Sequence, residues 1–133
     1  MKITSDFLVI GSGIAGLSYA LKVAARGTVA VITKKEMSET ATNLAQGGIA
    51  SVISSEDSFA SHFRDTMVAG AHLSHVEVVQ LVVESGPQAI RDLINWGVKF
   101  TKKADNTYDL TREGGHSKRR ILHAKDITGR EIE

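Results

Sequence analysis

The sequence predicts an α/β fold that opens with a parallel strand–helix–strand unit of Rossmann type. Three observations predict it. Asp6-Phe7-Leu8-Val9-Ile10 is a short apolar run rich in β-formers. Gly11-Ser12-Gly13-Ile14-Ala15-Gly16 follows at G-x-G-x-x-G spacing, directly ahead of the helical pattern Leu17-Ser18-Tyr19-Ala20-Leu21-Lys22-Val23-Ala24. Thr28 to Thr33 is a second apolar β run, and the right-handed crossover rule lays it parallel beside the first.

Strand, glycine turn and helix in that order form the context in which this fingerprint holds a dinucleotide. Gly11 permits the tight turn, Gly13 has no Cβ to hold off a pyrophosphate, and Gly16 lets the helix lie close to the strand. The free N–H groups and the positive end of the helix dipole then face the phosphate charge. Gly11, Ser12, Gly13, Ile14, Ala15 and Gly16 are therefore the candidate phosphate-binding residues; a glycine turn used only for packing is the competing reading. The helix is predicted to run to Ala25-Arg26, with Gly27 as its stop. An NAD site usually places an acidic residue at the end of the second strand to hold the ribose. Thr33, Lys34 and Lys35 stand there and Glu36 comes late. Spacing alone leaves FAD, NAD and NADP open.

The stretch from Met37 to Gly48 is small, polar and glycine-ended, able to come close to a ligand, and Ile49 to Ser54 is an apolar run of undecided state. A helix is predicted from Asp57 to Ala71, capped by Ser58 or Asp57, with Phe59, Phe63, Met67 and Val68 as its core face. Another runs from His75 to Ser85 on the stripe Val76, Val79, Val83; Gly86-Pro87 breaks it, and Pro87 starts a further helix through Trp96 that Gly97 ends. Val98-Lys99-Phe100 and Tyr108-Asp109-Leu110 are expected to pair across the turn at 104–107. A helix begins in the final residues. Two parallel strands leave sheet edges that nothing later covers, so the chain is expected to be the front part of a longer protein.

At 133 residues the chain has room for one domain with a core and not for two ordinary ones. A net charge of +1 gives no electrostatic footprint for nucleic acid. The absence of cysteine excludes disulfides, Cys-ligated zinc and iron–sulfur ligation within these residues, and fits a reducing cytoplasm. No apolar run reaches transmembrane length and no signal region precedes the first strand, so a soluble cytoplasmic protein is expected. His62, His72 and His75 fall on helical patterns as ordinary surface or packing residues, and their spacing offers no metal set. His116 and His123 flank Arg119 and Arg120, a cluster suited equally to a dicarboxylate or to a domain contact.

At Ala45-Gln46-Gly47-Gly48-Ile49-Ala50 and Thr111-Arg112-Glu113-Gly114-Gly115-His116 the chain resembles the succinate dehydrogenase and fumarate reductase flavoprotein family, on its aspartate-oxidising branch. The resemblance runs from Asp6 to Glu133, through Ser117-Lys118-Arg119-Arg120-Ile121-Leu122-His123 and Thr128-Gly129-Arg130-Glu131. It implies a Rossmann-like FAD-binding domain of glutathione-reductase type, present in its N-terminal part, with several helices after the first βαβ unit. It implies noncovalent FAD and oxidation of L-aspartate to iminoaspartate, with hydride passing from Cα to flavin N5 and reoxidation by oxygen or fumarate. That is the first step of NAD biosynthesis, and quinolinate synthase, which consumes iminoaspartate, would be its functional neighbour.

By matching positions, Gly11 to Gly16 would hold the pyrophosphate and Lys34 would lie by the adenosine ribose. Ala41, Thr42, Asn43, Leu44, Ala45, Gln46, Gly47 and Gly48 would wrap the flavin end, with the Gly47-Gly48 backbone against the isoalloxazine. Ala41 stands where succinate dehydrogenases carry the histidine bonded to flavin, so covalent attachment is not available. Glu113 stands where those enzymes carry a neutral glutamine. A carboxylate complements the α-ammonium of aspartate, which favours an amino-acid substrate; a salt bridge to Arg112, Arg119 or Arg120 is the competing reading. The family's principal proton-transfer arginine has no counterpart within these residues, and the chain alone is expected to be inactive.

Overall fold

A computed structural model of the chain describes residues 2–71 and 73–133; His72 lies outside them. The element order is β1 (Phe7–Ile10), α1 (Ile14–Val23), β2 (Val29–Ile32), α2 (Ala41–Leu44), β3 (Ile49–Ala50), α3 (Phe59–Ala69), α4 (Val76–Asn95), β4 (Ile121–Leu122) and α5 (Thr128–Ile132). The chain packs as two compact units, Met1–Gln46 with Ile127–Glu133, and Gly47–Asp126.

In the first unit β1 and β2 pair in parallel, with Phe7 opposite Val29 and Ile10 opposite Ile32, as the apolar runs predict. Val9 points into the core with Ala20 and Val23 of α1. Leu8 and Ile10 alternate to the other face and are exposed. The helix stops at Val23, two residues short of the expected end. Gly27 is not its left-handed cap. Its role is contact, because a Cβ there would lie 2.7 Å from Asp6 Oδ2, and Asp6 in turn accepts hydrogen bonds from the Thr28 N–H and hydroxyl at 2.8 Å each. Those bonds hold the Asp6 carboxyl below its ordinary range. The polar stretch after β2 contains a helical turn that periodicity did not reveal: Thr40 Oγ1 caps it by accepting from Asn43 N–H at 3.1 Å.

The second unit is built on α4, which runs unbroken through the expected break. Pro87 lies inside it. A proline there removes the bond to the Val83 carbonyl and costs about 3 kcal/mol. Val79, Val83, Ile90 and Leu93 form one buried stripe on both sides of it, and each such side chain contributes about 1.5–3 kcal/mol on burial. The stripe outweighs the proline. Gly86 serves a close approach instead: a Cβ there would lie 3.2 Å from Ser51 Oγ. Gly97 does end the helix, at φ +111°.

α3 begins where expected, with Ser58 Oγ accepting from Ser61 N–H at 3.1 Å, but its buried face is a different one. Phe59 and Val68 are exposed at 43% and 74%, whereas His62 is buried. Of the expected core stripe, Phe63 and Met67 are half-buried but Phe59 and Val68 are not covered, because Ser61, His62 and Asp65 turn inward to meet polar groups of a later loop. The undecided run after Gly48 forms β3, antiparallel to β4 with Ile49 opposite Leu122. The 98–110 hairpin exists in a shifted register. Lys102 bridges to Tyr108, and Asp109 N–H donates to Thr101 O at 3.0 Å. Thr101 N–H is taken by His123 O at 2.8 Å, so Phe100 is drawn into the core, edge-on to Tyr108 at 6.4 Å. The terminal helix appears as α5.

Candidate functional site

The glycine turn of the first unit brings the end of β1 and the start of α1 into close backbone contact. Gly11 adopts φ +107°, which disfavours any side chain, and its N–H donates to Ile32 O at 2.8 Å. A Cβ on Gly16 would fall inside the Gly11 carbonyl, so the helix and the turn touch backbone to backbone. Gly13 caps α1 with extended backbone (φ −72°, ψ 173°) and no side-chain cap, and the first turn carries no acidic residue. Ile14 N–H donates to Thr42 Oγ1 at 3.1 Å. The Ile14 amide is thus satisfied by a hydroxyl and not by a carboxylate, so the terminus carries no negative charge that would oppose an anion. Ser12 differs from its neighbours. Its buried hydroxyl donates to Met37 O at 2.8 Å and ties the turn to the polar stretch.

Ala41 to Gln46 are held by α5. Gly129 N–H donates to Ala45 O at 2.9 Å, and Thr40 Oγ1 hydrogen-bonds Glu133. A Cβ on Gly129 would overlap Thr42 O. Asn43 Nδ2 donates to Ser38 O at 2.6 Å. Leu44 is 82% exposed, and Ala41, Ala45 and Gln46 are exposed with it, while Ala15 is exposed on the first turn of α1. Lys34 is exposed at the end of β2 and makes no ion pair among the described residues; its neighbour Lys35 pairs with Glu39 at 2.8 Å.

Gly47, Gly48 and Glu113 belong to the second unit. Gly48 is required by packing, because a Cβ would overlap Leu122 O and Ile121 Cγ2. Gly47 lies beside the Glu113 carboxylate: a Cβ there would be 3.8 and 3.9 Å from its two oxygens. Glu113 is exposed and makes no ion pair among the described residues. The salt bridge to Arg112, Arg119 or Arg120 does not form.

Arg120 is committed elsewhere. It is fully buried and donates to Asp57 through Nε (2.7 Å) and Nη2 (2.8 Å), and to Asp65 through Nη1 (2.8 Å). Of the two readings open for this cluster, a dicarboxylate site or a domain contact, Arg120 takes no part in the first, because its donors are spent on Asp57, Asp65 and Ser61; Arg119 donates to Leu110 O at 3.2 Å. Burial works against the charge on Asp65, but donation from the Ser117 N–H and hydroxyl, and from Arg120, holds its carboxyl below the ordinary range. His62, expected as an ordinary helical residue, packs its ring 5.6 Å from that of His116, with Nδ1 buried and unpartnered. Burial first, then the Arg120 and His116 charges, push its pKa down, so its neutral form is favoured. His75 occupies the cap position of α4 without a side-chain bond, and His123 Nε2 lies 3.8 Å from Asp109. Ser61 and Asp65, at i, i+4 on one face of α3, escaped the sequence reading, and Asp57, offered there as a cap, lies just ahead of the Ser58 cap and binds Arg120 instead.

Residues 6–133 match the family described as FAD binding domain. The chain is 59% identical over 128 residues to L-aspartate oxidase 2-b, chloroplastic, of Nicotiana tabacum, covering 96% of this chain and 20% of that protein. It is 51% identical to L-aspartate oxidase of Vibrio cholerae, over 93% of this chain and 24% of the relative. The chain thus spans about a fifth of the length of the curated relatives it matches. Among solved structures, a quinol-fumarate reductase chain superposes with TM-score 0.90 at 32% identity, covering 99% of this chain and 24% of that one. Sdh1 of Mycobacterium smegmatis superposes with TM-score 0.87 at 33% identity, covering 96% and 22%.

Proposed function

The chain belongs to the FAD-binding domain family, and on that premise we propose that it carries part of the flavin site of an L-aspartate oxidase. The observation that carries the substrate assignment is Glu113, an exposed carboxylate without an ion-pair partner among the described residues, beside the backbone of Gly47. Gly11 to Gly16 with Thr42 would hold the pyrophosphate, Lys34 would flank the adenosine ribose, and Ala41 to Gly48 would line the flavin end. Bound FAD supplies the two-electron acceptor for the hydride leaving the substrate Cα. Ala41 has no nucleophile to offer, so FAD is held noncovalently.

Glu113 attracts the α-ammonium of aspartate. Two unit charges 4 Å apart gain about 1 kcal/mol in water and about 4 at a protein surface. That range is worth roughly 5-fold to several hundred-fold in preference over succinate, which lacks the ammonium. The product is iminoaspartate, the acceptor oxygen or fumarate, and the consuming partner quinolinate synthase. The cysteine-free sequence supports a reducing cytoplasm, although the tobacco relative is named chloroplastic. No helix among the described residues is long and apolar enough to cross a membrane.

A succinate dehydrogenase or fumarate reductase flavoprotein is the second reading, favoured by the superposition at TM-score 0.90. Glu113 and Ala41 speak against it. Two measurements test the proposal. The purified chain titrated with FAD and with NADP should take up FAD and release it unmodified on denaturation; binding of NADP with no response to FAD would point to a non-catalytic nucleotide module. The complete protein that carries this chain should turn over L-aspartate in preference to succinate, and the reverse preference would establish the second reading.

A further inference from the structure

We propose that Asp65 and Ser117, with Arg120, are positioning residues for Glu113: they fix the loop that presents its carboxylate to the substrate ammonium. The inference rests on the reading of Glu113 given above and adds how the fold makes that carboxylate selective.

Glu113 occupies the first position of a tight turn. His116 N–H donates to Glu113 O at 3.2 Å, and Gly115 takes φ +81°, the conformation a type II turn needs at its third residue. The turn is anchored on both sides. Before it, Thr111 exchanges backbone bonds with Ile121, each 3.1 Å. After it, Ser117 donates to one oxygen of Asp65 through its N–H (2.7 Å) and its hydroxyl (2.8 Å), and Arg120 Nη1 donates to the same oxygen at 2.8 Å. Arg120 Nη1 also lies 3.4 Å from His116 Nδ1, and Arg120 Nη2 donates to Ser61 Oγ at 3.1 Å. The Glu113 side chain is exposed within this frame and bonds none of it.

Stability does not account for the arrangement. Burying Arg120, Asp57 and Asp65 carries a desolvation cost that an apolar triad would avoid, and such ionic networks are seldom more stabilising than their apolar replacements. What the network supplies is direction. Three donors converging on one Asp65 oxygen set the path of the chain from Ser117 to Arg120, and the bond from His116 N–H to Glu113 O ties Glu113 to that path. A carboxylate on a mobile loop would lose orientational entropy at each binding event; one already oriented retains that free energy for affinity.

The test uses the complete FAD-loaded protein that carries this chain, with D65N, S117A, S117T and E113Q, and amide exchange measured on the 133-residue chain. S117A deletes one bond to Asp65 and leaves the Arg120 pairs whole. D65N and S117A are expected to raise KM for L-aspartate about tenfold with kcat little changed, a pattern that lost fold would not produce. S117T should restore it. The Ser117 and His116 amides should exchange several-fold faster in S117A, with Leu122 unaffected. If E113Q leaves KM for aspartate unchanged, the role assigned to Glu113 fails. If E113Q raises KM while S117A and folded D65N match wild type, the positioning role fails and the Glu113 reading stands. Should D65N not fold, S117A against S117T decides.

Discussion

Replacing Asp57 by Asn removes one charge from the buried network while keeping its shape. Arg120 is fully buried, and the Asp57 side chain is 1% exposed. Two hydrogen bonds of 2.7 and 2.8 Å join them, and bonds to charged groups contribute about 1.5–3 kcal/mol each. Breaking a buried pair by removing one partner costs about 3–5 kcal/mol. Asp65 still faces the guanidinium, and Asn retains an acceptor oxygen. The expected loss is therefore at the low end, about 3 kcal/mol, a large fraction of the roughly 5–15 kcal/mol that holds a domain folded. The sequence has a single tryptophan, Trp96, and it lies in the second unit with the network, so its fluorescence in urea follows the unfolding of the unit that holds Arg120. With a slope of about 2 kcal/mol/M, the midpoint should fall by about 1.5 M at unchanged slope. The triple replacement D57L/D65L/R120M should recover most of the loss, since no unpaired charge remains. A D57N midpoint within about 0.2 M of wild type would refute the argument that Arg120 depends on this pair.

His62 gives a pH signature. Its folded pKa lies below the ordinary value of 6.5, so the unfolded chain binds the proton first; this stability is present above about pH 6.5 and is lost as pH falls through the folded value. H62Q should flatten the difference in Trp96-detected Tm between pH 7.5 and 5.5, and an unchanged slope would assign it to another group. In the glycine turn, G16A places a Cβ against the Gly11 carbonyl and should prevent folding of the first unit, read by circular dichroism. G13A meets only Thr42 Oγ1, at 3.3 Å. It should keep the fold and weaken FAD binding at least tenfold; equal FAD affinity would remove Gly13 from the proposed pyrophosphate site. S58A deletes the α3 cap and should cost about 1 kcal/mol in urea unfolding.

Local signals carried the reading where local physics governs. The βαβ unit was legible because a β-run, three glycines and a helical pattern each need only their neighbours, and β1 and β2 pair as the crossover rule requires. Ser58 and Gly97 were legible as cap and stop for the same reason. The break at Gly86-Pro87 was misread because the local penalty of Pro87 is offset by side chains seven residues apart along one stripe. The core face of α3 was misread because apolarity alone assigns Phe59 and Val68 inward, whereas Asp57, Ser61 and Asp65 find a buried cation 55 to 63 residues away. Of the candidate site, the turn at Gly11 to Gly16 was nominated by spacing and Glu113 by its place in a motif. That Arg120 is consumed was not readable, since Arg119 and Arg120 are alike in sequence and only burial tells them apart.

The sequence by itself carried the strand–turn–helix opening, because turn geometry and close backbone approach are properties of short segments, and it carried the family through a resemblance that runs from Asp6 to Glu133. It also nominated the Glu113 carboxylate through that resemblance, with recognition of a substrate ammonium and a salt bridge to a nearby arginine as the competing readings. Only the tertiary structure decided that this charge is free. Arg120, one of three competing partners with Arg112 and Arg119, is drawn inward by Asp57 and Asp65, and a guanidinium removed from water binds the carboxylates that satisfy it and leaves an exposed neighbour alone.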